Sequence, residues 1–114
     1  MSDQTILRTE LKRCDLFKLS GRFDTSSAQE VANEFQNAMN LGRFRFVLDM
    51  TDTEYISSGF LRVLVGTQKT VKRFNRGDIY LAGLSARLQD VMDLAGLTVL
   101  FEIFDAPEEA VGAW

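Results

Sequence analysis

Three apolar residues in a row, Phe46-Val47-Leu48, sit inside the run Phe44 to Met50. Successive side chains of a strand point to opposite faces, so an unbroken apolar run predicts a strand buried on both sides. Helical patterns flank it. Before it, Ala28, Val31, Ala32, Phe35 and Ala38 or Met39 recur at helical spacing. After it, Phe60, Leu64, Thr67, Val71 and Phe74 do the same, with Leu61 and Val65 beside that stripe.

The remaining elements follow by the same reasoning. Thr5 to Leu11 alternates loosely, Lys12 to Asp15 reads as a polar turn, and Leu16 to Leu19 reads as a second strand stopped by Ser20-Gly21. The first helix has two overlapping capping-box candidates, Ser26-x-x-Gln29 and Ser27-x-x-Glu30, and Gly42 ends it. Thr51 to Ser57 reads as a polar loop, and Asn75-Arg76-Gly77 ends the second helix. Ile79 to Ala82 is a strand. Ser85 caps a third helix with Leu88, Val91, Met92 and Ala95 inward, stopped by Gly96. Leu100 to Phe104 is a last strand, and Asp105-x-x-Glu108 with Pro107 opens a terminal helix. Strands that alternate with helices build a largely parallel sheet with helical crossovers. The expected class is α/β: a mixed central sheet with a parallel core, an N-terminal antiparallel hairpin and about four helices. Its 114 residues suit a single domain, 1–114.

Composition removes whole classes of chemistry. With no histidine, a Ser-His-Asp or Cys-His mechanism is impossible within the chain. Lone Cys14 makes neither an internal disulfide nor a zinc site. No apolar run reaches the roughly 20 residues that span a bilayer, and the start resembles no signal peptide. The expected location is the cytoplasm, without membrane insertion. A net charge of −3 argues against nucleic acid as a partner. The basic run Lys69 to Arg76 reads as a solvated helix end, and the phenylalanines read as core. No glycine pattern forms a phosphate cradle. No cofactor or metal is expected.

Ligand sites in such sheets lie beyond the carboxyl ends of the strands. Two polar clusters fall there: Gly21 to Ser27, and Asp49 to Gly59. Ser57 and Ser58 suit a helix N-cap, where a hydroxyl satisfies a free backbone N–H. The same helix end stabilises an anion, so a phosphate on Ser58 would be accommodated. One serine can serve both roles, and Ser57 remains an alternative acceptor. Asp24 reads as a helix-entry carboxylate, or as part of a partner site on the same edge as Ser58.

Phe44 to Met50, followed by Ser58-Gly59 and Leu61-Arg62-Val63-Leu64, resembles the signature of STAS domains, which include the anti-sigma factor antagonists. Leu19-Ser20-Gly21-Arg22-Phe23-Asp24 is similar to the family's second-strand segment. Leu94 to Leu97 and Phe101 to Phe104 resemble its third-helix exit and last strand. The likeness runs from about residue 5 to residue 111. It implies the STAS fold and a regulatory binding protein that is not an enzyme. The unphosphorylated form would bind an anti-sigma factor that is also a serine kinase of the GHKL ATPase type, releasing the sigma factor. Phosphorylation of Ser58 would end that binding, and a serine phosphatase would reset it. The implied partner surface is Asp24, Thr25, Tyr55, Ile56, Ser57, Ser58, Gly59 and Phe60. Ile56 departs from the aspartate that many members carry two residues before the phosphoserine.

Two other readings stay open. A STAS domain can be a scaffold or an accessory subunit of a signalling complex or transporter. A phospho-aspartate receiver would use Asp49 at the end of its strand, but it would need a second acidic pair and a lysine after the last strand, and Phe101 to Asp105 has no lysine.

Overall fold

The computed structural model describes residues 4–74 and 76–114. Among these residues, six strands and four helices appear in the order β1 (Thr5–Glu10), β2 (Asp15–Phe23), α1 (Thr25–Asn40), β3 (Arg45–Asp49), β4 (Thr53–Ile56), α2 (Ser58–Val71), β5 (Asp78–Ala82), α3 (Ala86–Leu94), β6 (Glu102–Phe104) and α4 (Pro107–Gly112). A single 3-10 turn, Thr98–Leu100, precedes β6. The sheet order is β1-β2-β3-β5-β6, with β4 paired to β2. Among the described residues only β1 and β2 run antiparallel; every other pairing is parallel. The mixed sheet with its N-terminal hairpin is the class expected.

Phe46, Val47 and Leu48 are fully buried. Phe46 and Leu48 enter the larger core beneath α1, α2 and α3, whereas Val47 enters a smaller cluster with Cys14, Ala82 and Ala110 of α4. The larger core centres on Phe17, Phe35 and Phe46, whose ring centroids are 5.1, 5.1 and 5.4 Å apart. Phe17 meets both partners edge-on, a geometry that aligns ring edges with the electron-rich faces.

Several local expectations are corrected. Ser20-Gly21 does not stop β2. Gly21 adopts φ +98°, which a side chain would disfavour, and the register shifts between Gly21 and Arg22. The strand changes partner there: Asp15–Lys18 pair with β3, and Gly21–Phe23 pair with β4. The polar segment read as a loop contains β4. Only Thr53 and Ile56 of its four residues are buried, so it carries little apolar signal. Thr53 Oγ1 donates to the Leu19 carbonyl at 2.6 Å, which fastens this strand to β2. Helix α2 ends at Val71; Phe74 lies beyond it, half exposed and stacked on Phe44. The expected stop includes Asn75, which lies outside the described residues. Ala95 is exposed, because α3 ends at Leu94. In α4 the cap is Ala106, whose N–H donates to Glu109 rather than being served by Asp105.

Candidate functional site

Parallel strands β2 and β4 finish side by side, with Phe23 opposite Ile56, and each hands the chain to a helix. Asp24 is the N-cap of α1, so the helix starts before the expected Ser26 and Ser27 caps. Its Oδ1 accepts from the Ser27 N–H at 2.9 Å, the Ser27 hydroxyl at 2.7 Å and the Ser26 hydroxyl at 2.9 Å. The Asp24 N–H donates back to Ser27 Oγ at 3.1 Å, which closes a capping box. These donors serve the charged carboxylate. The Ser27 backbone N–H contributes most, then the Ser27 and Ser26 hydroxyls, and together they lower the Asp24 pKa from 3.8 to about 2.

The sign of the linked stability follows. A carboxylate with a depressed native pKa contributes stability above its unfolded pKa and loses it as pH falls towards the native one. The stability gap between wild type and Asp24→Asn is therefore expected to be full at neutral pH. It should shrink from about pH 3.8 towards pH 2. Urea unfolding at a series of pH values checks this; a gap that stays constant through the window contradicts it.

The second turn separates two adjacent serines. Ser57 is the N-cap of α2, 7% exposed, and its Oγ accepts from the Phe60 N–H at 3.1 Å. Its own N–H donates to the Phe23 carbonyl at 2.9 Å, tying the start of α2 to the end of β2. Ser58 is the first helical residue and is exposed. The capping role therefore falls to Ser57, and the accessible hydroxyl is that of Ser58. No acidic residue occupies the first turn of α2, so the positive end of its dipole faces Ser58 without a competing carboxylate.

Gly59 explains how the two helix starts approach each other. A Cβ there would lie 3.2 to 3.3 Å from Thr25, closer than side chains comfortably pack. Thr25 is thus held beside the first turn of α2. Of the residues expected to meet a partner, Asp24, Thr25, Tyr55 and Ser58 are exposed. Ile56, Ser57, Gly59 and Phe60 are buried in the free chain and lie directly beneath that exposed set. Phe60 packs on Phe23 at 5.7 Å, so its role is to anchor the turn. Tyr55 lies under the Arg22 guanidinium, 4.6 Å from the ring centroid.

Sequence reasoning missed the surface that continues from Ser58. Leu61, Arg62, Val65, Gly66, Lys69 and Leu97 line a groove of about 420 Å³ that opens beside it. The signal was present: Leu61 and Val65 widen the apolar stripe of α2 beyond what its buried face uses. Asp49 is placed differently. Its Oδ1 accepts from the Thr51 hydroxyl and N–H at 2.6 and 3.1 Å, turning the chain out of β3.

The model of the STAS domain matches residues 6–110. The chain belongs to the STAS domain family. A Bordetella bronchiseptica protein with the provisional name anti-sigma factor antagonist BtrV is 27% identical over 96 residues, covering 84% of this chain and 82% of that one. An anti-sigma factor antagonist from Mycobacterium paratuberculosis superposes with a TM-score of 0.86 at 17% identity, over 96% of this chain and 92% of the other. The Bacillus cell fate determinant SpoIIAA in its phosphorylated form gives 0.76 at 15% identity, over 96% and 98%. A sulfate transporter family protein from Wolinella succinogenes gives 0.70 at 18% identity, over 86% and 81%. At these identities the structural likenesses establish this STAS fold and leave the choice of partner to the site. Among the described residues, no helix is long and apolar enough to cross a membrane.

Proposed function

We propose that this STAS protein is a cytoplasmic anti-sigma factor antagonist worked by partner switching. The unphosphorylated surface around Asp24, Thr25, Tyr55 and Ser58 binds an anti-sigma factor that is also a GHKL-type serine kinase, and the sigma factor is set free. The kinase then phosphorylates Ser58, the complex separates, and a serine phosphatase restores the hydroxyl. The chain contributes a binding surface and a phosphate acceptor; the catalytic groups belong to its partners.

One observation carries this reading: Ser57 is spent on the cap, while Ser58 is exposed on an unopposed helix N-terminus. A phosphate there adds roughly two negative charges, taking the net charge from −3 to about −5. The helix end tolerates that charge, so the fold persists and the penalty falls on the docked partner. The likeness to anti-sigma factor antagonists supports the choice of partner.

The test is a pull-down followed by phosphosite mapping with the recovered kinase and ATP. Phosphate is expected on Ser58, absent from Ser58→Ala and still incorporated by Ser57→Ala. Acid-labile phosphate on Asp49 would favour the receiver reading instead. Recovery of a transporter ATPase without modification of Ser58 would favour the accessory-subunit reading.

A further inference from the structure

The opposite edge of the sheet holds a second polar site. Lys12, Arg13, Arg43 and Arg45 line a cleft of about 260 Å³ at the amino ends of β2 and β3. Strand β3 begins there with Arg45 and ends at Asp49, so roughly 13 Å of strand separates this cleft from the Ser58 edge. No aspartate or glutamate is among the described residues lining it. Four cations line one small concavity of a chain with net charge −3.

Three of the four are held in place. Arg43 donates to Asp15 and to the carbonyls of Leu11 and Cys14. Arg13 donates to the Trp114 carbonyl at 3.0 Å, and the Arg45 guanidinium lies over the Trp114 ring at 5.5 Å. The hairpin, β3 and the last residue thus converge to fix guanidinium groups around one space. Binding to fixed donors loses less side-chain entropy than binding to mobile ones. Asp15 lies behind the cleft, shared between Arg43 and Arg8, and Glu10 takes a second side of Arg8, so the cleft wall itself carries the cations.

We propose that this cleft binds a small phosphorylated molecule, with the four cations on its phosphate and Phe44 as the wall for the group the phosphate carries. Guanidinium forks match the paired oxygens of a phosphate, and a lysine adds a point charge. A dianionic phosphate answers four cations better than a single carboxylate does. The cleft has room beyond one phosphate group, and Phe44 lines it with an apolar surface. This site is independent of Ser58 and of the partner that reads it.

The full chain can be titrated with inorganic phosphate, phenyl phosphate and a glutamate-rich peptide, followed by calorimetry and amide NMR. Phenyl phosphate is expected to saturate with a Kd of about 1 mM or tighter, and more tightly than inorganic phosphate. Amide shifts should cluster at residues 12–14 and 42–45. The double variant Lys12→Gln/Arg45→Gln leaves Arg43 and Asp15 in place. It should weaken binding at least about tenfold while the amide spectrum outside the cleft stays that of the wild type, whereas Lys69→Gln should leave binding unchanged. Absence of saturation, or saturation unaffected by the double variant, overturns the site. Binding of the peptide alone overturns the ligand class. Phenyl phosphate binding no tighter than inorganic phosphate overturns the role of Phe44.

Discussion

Ser58→Asp is expected to bind the anti-sigma partner about 30-fold more weakly than Ser58→Ala, while folding slightly more stably. The two effects have opposite signs because they act on different surfaces. Inside the chain, an aspartate at the first position of α2 meets a helix end with no other acid in its first turn. A carboxylate there contributes about 0.3–1 kcal/mol. Across the interface, the same charge faces whatever the partner places against Ser58, and a desolvated or like-charged contact costs several kcal/mol. About 2 kcal/mol, a cautious share for one carboxylate against a phosphate's two charges, corresponds to about 30-fold in Kd. Calorimetry gives the affinities and urea unfolding gives the stabilities. Equal affinities would remove charge as the switch. Loss of both affinity and stability would mean that the variant misfolds rather than mimics phosphate.

The parts of this fold that were legible are those where one residue type has one use. Phe46, Val47 and Leu48 had to be buried on both faces, and they are. Ser85 was expected to cap α3, and its Oγ accepts the Leu88 N–H. Strand β4 is hidden in the sequence because only its two ends, Thr53 and Ile56, are buried, and Glu54 and Tyr55 between them look like loop residues. Gly21 looks like a stop because glycine usually ends strands, yet its φ of +98° lets one strand serve two partners. At the site, sequence placed Asp24, Ser57 and Ser58 on one edge but could not divide the serines. That division depends on where the helix axis begins, a matter of one residue, and only the Phe60 N–H decides it. Asp15 escaped notice for a related reason. In sequence it closes the polar stretch Lys12 to Asp15, and its partners Arg8 and Arg43 come from either side of it, one of them 28 residues away.

Asp15→Ala is expected to cost about 3 kcal/mol, among the larger losses open to a single substitution outside the aromatic core. Asp15 is fully buried, and each of its oxygens holds one guanidinium: Oδ2 that of Arg8 at 2.9 Å and Oδ1 that of Arg43 at 2.8 Å. Removing it leaves Arg43 without a carboxylate and Arg8 with only the exposed Glu10 at 3.1 Å, two cations that the hairpin and the β3 entry have drawn together. Their side chains are 24% and 25% exposed, so water recovers part of the loss, which places the figure at the low end for a broken buried pair. Asp15→Asn keeps the shape and should lose less. Salt should weaken the wild-type cluster little, since its carboxylate is out of solvent. Urea unfolding measures all three. The sharper test replaces the whole cluster: Asp15→Leu with Arg8→Leu and Arg43→Met should recover most of the stability that Asp15→Ala loses. The cost lies in the unpaired charges, not in the absence of a favourable pair. If the triple variant stays as unstable as the single one, the cluster contributes net stability and this accounting of Asp15 is wrong.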